Sequence, residues 1–157
     1  MSVTSGGRNE THEERLDRKW DDMLQELRVM QTGVQLLAGI LLTLPFQETF
    51  GDLDDFQRSL YLGLVVTAAV TTSLVLAPVA IHRRLAGRHI KDRLITSAHL
   101  LMITVLGTLG LLIIGMVVFV FDVVIGDGAA AVAGSCVGLV VCALLVVVPH
   151  LVVASDS

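Results

Sequence analysis

Residues 31, 35, 39, 43 and 47 are Gln, Gln, Gly, Thr and Gln. Steps of four place them along one stripe of a helix. The stripe lies inside 29–47, a run without Asp, Glu, Lys or Arg. A primary amide in hydrocarbon is costly unless it meets a partner. Gln31, Gln35, Thr43 and Gln47 therefore have two readings: the lining of a polar path for a cation or proton, or a set of interhelical hydrogen bonds. His99 stands about one turn inside another uncharged run. An imidazole titrates near neutral pH, so His99 joins the candidate path, or else bonds a neighbouring helix at the interface.

Other groups carry weaker chemistry. Asp122 and Asp127 bracket the turn sequence DVVIGDG, as a cation attractor or as a solvated loop. Cys136 and Cys142 are six residues apart on different helical faces, which argues against a shared disulfide or metal site. Gly63, Thr67 and Thr71, and likewise Thr104 and Thr108, form stripes whose hydroxyls can bond their own helix's carbonyls, as packing faces do. Ala130, Gly134, Gly138 and Cys142 repeat at i+4 and include a GxxxG pair. Gly134 and Gly138 are the expected helix-packing residues, against a helix of the same chain or of another subunit. No Ser-His-Asp grouping, phosphate loop or metal-ligand spacing occurs. The expectation is no enzyme activity, no cofactor and no metal.

These side chains must be held by membrane helices. Of 157 residues, 54% are hydrophobic and only 17% charged, against about 25% charged in soluble domains. The mean hydropathy is +0.76. That balance excludes disorder and an ordinary soluble domain. Aromatic residues are 4%, too few for nucleic-acid stacking platforms. Four runs lack acidic and basic residues: 29–47, 59–81, 94–121 and 128–155. Each holds about 20 residues or somewhat more, enough to cross a bilayer once as a helix. Pro78 and Pro149 fall near run ends, where a lost backbone donor costs least.

Charge sets the orientation. Arg8, Arg15, Arg18, Lys19 and Arg28 precede the first run, and Arg83, Arg84, Arg88, Lys91 and Arg93 lie between the second and third. Arg58 alone falls on the other side. The positive-inside rule makes the basic side cytoplasmic, with both termini there. No cleavable signal peptide is visible among the first 28 residues.

Thr11 and Glu14 form a capping-box pattern. Leu16, Trp20, Met23, Leu27, Met30, Val34, Leu37, Leu41 and Leu44 then recur at steps of four and three. That heptad seam continues into the first span, so residues 12–46 can form one helix ending near Pro45. The seam serves either oligomerisation or packing within the chain. Glu14, Arg18 and Asp22 make a charge ladder on its exposed side. Glu26 and Arg28, where the first span begins, can pair with the basic linker around His82, Arg83 and Arg84, as a vestibule or as topology-setting charge.

The segment ELRVMQTGVQLLAGILLTLPFQ at 26–47, with Gln57-Arg58, Tyr61-Leu62, Ala77-Pro78-Val79-Ala80 and His82-Arg83 further on, resembles a family of small actinobacterial membrane proteins of unknown function. The likeness is clearest over residues 20–100. Some such proteins are labelled sodium:proton antiporters, which implies a transport role. No carboxylate lies at mid-depth in any run, and coupled proton exchange usually needs an embedded titratable group.

The expected fold is all-α: a four-helix transmembrane bundle with an amino-terminal cytoplasmic helix continuous with the first span. A disordered tail at 1–10 precedes a cytoplasmic amphipathic helix at 11–28 and a four-span domain at 29–155, its last span 128–154. The expected function is a small oligomeric cation or proton transporter or channel; the alternative is a non-conducting membrane scaffold or regulator acting through its cytoplasmic helix. The expected partners are the lipid bilayer and further copies of the chain, not nucleic acid. The expected location is the plasma membrane.

Overall fold

The computed structural model describes residues 12–85 and 91–155. The expected 1–10 tail, Thr11 of the capping pattern and the linker residues 86–90 lie outside them. Helix α1 runs His12–Thr43 without a break. Its 32 residues make a rod of about 48 Å, against a hydrocarbon core of about 30 Å. Pro45 ends it as expected, since proline has no N–H for the next helical bond. The chain then passes through two short 3-10 turns, Leu44–Phe46 and Glu48–Asp52.

Helix α2 is Asp55–Leu85 and α3 is Lys91–Val124. Both overrun the spans of 59–81 and 94–121 read from hydropathy. Hydropathy marks where lipid begins, whereas backbone hydrogen bonding carries a helix on into water. Helix α4, Asp127–Cys142, passes through a π-turn at Ala143–Val147 into α5, Val148–Ser155. Backbone angles at both junctions are helical, so the three pieces form one rod. Pro149 explains the wide turn. It cannot donate to Leu145, and its ring would strike that carbonyl in a regular helix.

Four stretches are long and apolar enough to cross a membrane: Asp21–Phe46, Asp55–Pro78, Leu100–Val124 and Asp127–Leu151. The protein is a multi-pass membrane protein built as a four-helix transmembrane bundle, with no strand among the described residues. Helices α1, α2 and α3 pack against one another, and α4 lies on α3.

Heptads organise the three-helix core. The anticipated α1 seam turns inward: Leu27, Val34 and Leu41 are 3%, 1% and 1% exposed, and Met23, Met30, Leu37 and Leu44 are half-buried beside them. Burial of Leu16 and Trp20 lies outside the described side chains. On α2 the buried line is Tyr61, Leu64, Ala68, Thr71, Val75 and Pro78, at steps of three and four. On α3, Val105, Leu112 and Phe119 repeat every seven residues. A repeat of seven is the spacing that suits left-handed packing at shallow crossing angles. Lipid tails are as apolar as leucine, so close fit between side chains holds these helices together. Gly115 shows the fit: a Cβ there would come within 2.5 Å of the Leu64 side chain.

The α3 to α4 connection is a two-residue turn. Gly126 N–H donates to the Phe121 carbonyl at 3.1 Å, and the Gly126 carbonyl accepts from Ala129 and Ala130. Its φ of +114° and ψ of 174° suit glycine alone. We predict that Gly126→Ala lowers stability by about 1–3 kcal/mol. Thermal unfolding in detergent, compared with Gly128→Ala in the first turn of α4, measures the difference.

Candidate functional site

The predicted polar stripe does not enter the bundle. Gln31 is half-buried, while Gln35, Gly39 and Thr43 are exposed on the side of α1 away from α2 and α3. Gln47 is exposed too, but it has left the helix: its φ of −82° and ψ of 141° are extended. Pro45 thus cuts the five-residue stripe to four. Thr43 spends its hydroxyl on its own helix, donating to the Ile40 carbonyl at 2.7 Å. Gln31 and Gln35 have no such outlet. Among the described residues neither amide has a hydrogen-bonding partner within the chain.

His99 lies on α3 near the end shared by the α1 amino terminus; its side chain lies outside those described. Glu26 and Arg28 are exposed on α1. The side chains of His82, Arg83 and Arg84 likewise lie outside those described, as does Arg88. The hydroxyl stripes of α2 and α3 resolve as local bonds. Thr67 donates to Gly63 at 2.8 Å, Thr71 to Thr67 at 2.7 Å and Thr104 to Leu100 at 2.8 Å. Thr71 is fully buried in this way, and among the described residues its hydroxyl has no partner on another helix.

The GxxxG face of α4 meets α3 of the same chain. A Cβ on Gly134 would run into the Val118 side chain, and one on Gly138 would reach Ile114 Cδ1 at 3.9 Å. Gly110 answers from α3, where a Cβ would lie 2.9 Å from Val141. Cys136 and Cys142 are free and exposed. Among the described residues no three His, Cys, Asp or Glu side chains gather as metal ligands.

Among the described residues, a polar network links helices at the acidic end. Glu48, Asp52, Asp54, Asp55 and Asp127 are exposed there, but Asp122 is only 5% exposed. It belongs to the last turns of α3 and not to a solvated loop. Gln57 holds it: Nε2 donates to Asp122 Oδ2 at 3.0 Å. The other end of the same amide caps α2. Gln57 Oε1 accepts from the Asp54 N–H at 3.1 Å, and the Gln57 N–H donates to Asp54 Oδ1 at 2.8 Å. This is a capping box with Asp at the cap and Gln three residues on. The Asp-x-x-Gln spacing at 54–57 was the available signal for it. Its third bond, to a residue 65 positions away, leaves no local trace.

A second link lies one turn deeper. Pro45 has no N–H, so the Leu41 carbonyl loses its regular helical partner. The Tyr61 hydroxyl replaces it, donating to Leu41 O at 3.2 Å in a buried site. Phe50 stands edge-on to the Tyr61 ring at 5.1 Å, and Phe119 lies 6.2 Å away with its ring tilted by 45°. Together, Gln57 and Tyr61 of α2 fasten the acidic ends of α1 and α3.

Residues 9–149 match a family described as a family of unknown function, DUF6328. The chain belongs to that family. No curated protein matches it, and no solved structure does. DUF6328 membership covers α1 to α4, so the amino-terminal rod, the capped α2 start and the glycine-packed α4 all fall within the family's extent.

Tyr61→Phe leaves the buried Leu41 carbonyl without a donor. We predict a loss of about 1–3 kcal/mol. Asp122→Leu strands the Gln57 amide and should cost a similar amount, while Asp122→Asn keeps an oxygen acceptor and most of the stability. Unfolding midpoints of the three variants in one detergent check the ranking.

Proposed function

We propose that this protein is a non-conducting, non-enzymatic scaffold or regulator of the plasma membrane, with both termini cytoplasmic. The observation that carries this reading is the filling of the bundle interior. Val34, Leu41, Leu64, Ala68, Val75, Val105 and Leu112 occupy the space between α1, α2 and α3. The buried Thr71 hydroxyl is spent on its own helix. The candidate path residues Gln35, Thr43 and Gln47 stand outside. Among the described residues, apolar side chains fill the space between these three helices.

Helix extension supports the same reading. The start of α1, the end of α2 and the start of α3 share one end and run past the apolar stretches. In sequence, ten of the eleven basic residues precede the first uncharged run or lie between the second and third, the side the positive-inside rule assigns to the cytoplasm. The amino-terminal part of α1 is the surface proposed to meet a partner. Lipid and membrane or cytoplasmic proteins are the proposed company, not nucleic acid.

A second reading, a small oligomeric cation or proton transporter or channel, draws on Gln31 and Gln35. Unpartnered amides within an uncharged run suit a shared polar path if several copies turn α1 toward a common axis. The antiporter role implied by the family resemblance belongs with this reading. It lacks a mid-depth carboxylate, since Asp122 lies at the acidic end of its span.

Flux into vesicles decides between them. Purified protein should give no sodium, potassium or proton flux above that of empty vesicles. A flux that disappears when Gln31 and Gln35 are changed to Leu would establish the transport reading instead.

A further inference from the structure

Helix α1 carries two seams. The inner one is consumed by α2 and α3. The second runs along the opposite face through Arg28, Thr32, Gln35, Gly39 and Leu42, again at alternating steps of four and three. All five are exposed. At 100° per residue this line lies well over a right angle from the line through Leu27, Val34 and Leu41. This spacing keeps the five residues on one outward line, along which a second helix can lie.

Gln35 says what kind of neighbour the seam needs. It sits about 9 Å inside the uncharged run, counted from Val29 at 1.5 Å per residue. Among the described residues no group bonds its amide, and hydrocarbon cannot. The hydroxyl of Thr32 already donates to Arg28 O at 3.1 Å, so the unmet demand on this seam is the amide alone. Gly39 follows one turn on, with nothing within 4 Å of where a Cβ would be. The open space beside it admits a second backbone at close range.

We infer that a second copy of this chain docks on this seam, α1 against α1 about a two-fold axis. Copies inserted the same way run parallel, so each seam residue meets its own counterpart. An amide is self-complementary. The NH2 of one Gln35 donates to the carbonyl oxygen of the other, and the reverse bond closes the pair. Thr32 and Leu42 pack above and below it, and Gly39 lets the rods approach. Arg28 falls at the inner headgroups, where its long side chain splays into water. The inference holds for a scaffold as for a transporter.

The test uses the full chain in vesicles, with Cys136 and Cys142 changed to Ala. Single cysteines are placed on the seam by Thr32→Cys, Gly39→Cys and Leu42→Cys, and off it by Val29→Cys, Leu36→Cys and Ile40→Cys. Oxidation should cross-link the first set several-fold more than the second. In a separate energy-transfer titration, Gln35→Leu should weaken dimerisation about 3- to 10-fold, as expected for one or two interhelical amide bonds. The side chain lies outside the bundle, so the thermal midpoint of the dilute monomer should not move. Equal cross-linking at both sets, a chain monomeric at every protein-to-lipid ratio, or a Gln35→Leu dimer as tight as the original would each overturn the inference. Ion flux does not enter this readout, so a conducting dimer would remove the scaffold reading and leave the seam intact.

Discussion

Hydrocarbon offers no hydrogen bonds, and that one constraint organises the molecule. Every donor or acceptor carried into the bilayer must be met by protein. The chain meets most of them locally. Threonines on α2 and α3 return their hydroxyls to carbonyls three or four residues back. Where local bonding fails, a neighbouring helix supplies the partner. The carbonyl orphaned by Pro45 takes the Tyr61 hydroxyl, and the buried Asp122 takes the Gln57 amide. Helix contacts at the acidic end thus follow from two positions where the backbone or a carboxylate could not look after itself.

The architecture was largely readable from the residues. Four uncharged runs, a helix continuous from His12 into the first span and a stop at Pro45 all follow from hydropathy and proline chemistry. The inner seam of α1 was readable as well, though its partner was not. Spacing states which residues share a face, and it cannot say whether that face meets the same chain or another. The same ambiguity surrounded Gly134, whose neighbour is Val118 of α3. Heptad spacing on α2 was masked by its threonines. The i+4 line through Gly63, Thr67 and Thr71 drew attention from the buried line through Tyr61, Leu64, Ala68 and Val75.

The site was less readable than the fold. The glutamine stripe was conspicuous in sequence, yet it faces away from the other helices. Asp122 was inconspicuous, placed near a turn, and yet it is the buried carboxylate among the described residues. Its partner lies far off in the chain, and long-range side-chain bonds have no periodicity to betray them. Polar residues inside a membrane protein therefore divide by depth and direction. Those near the acidic end join helices, and those on the outer face of α1 wait on whatever lies beside the bundle.

The π-turn in the last rod has a geometric effect of its own. One surplus residue in a helix advances everything after it by roughly a quarter-circle. The line of small side chains that rides on α3, Ala130, Gly134 and Gly138, is thereby thrown out of phase beyond residue 143. From residue 142 to 151 every side chain is exposed. Pro149 thus decides where the fourth rod changes phase against its neighbour, and within the turn Leu145 still reaches toward Gly110 of α3.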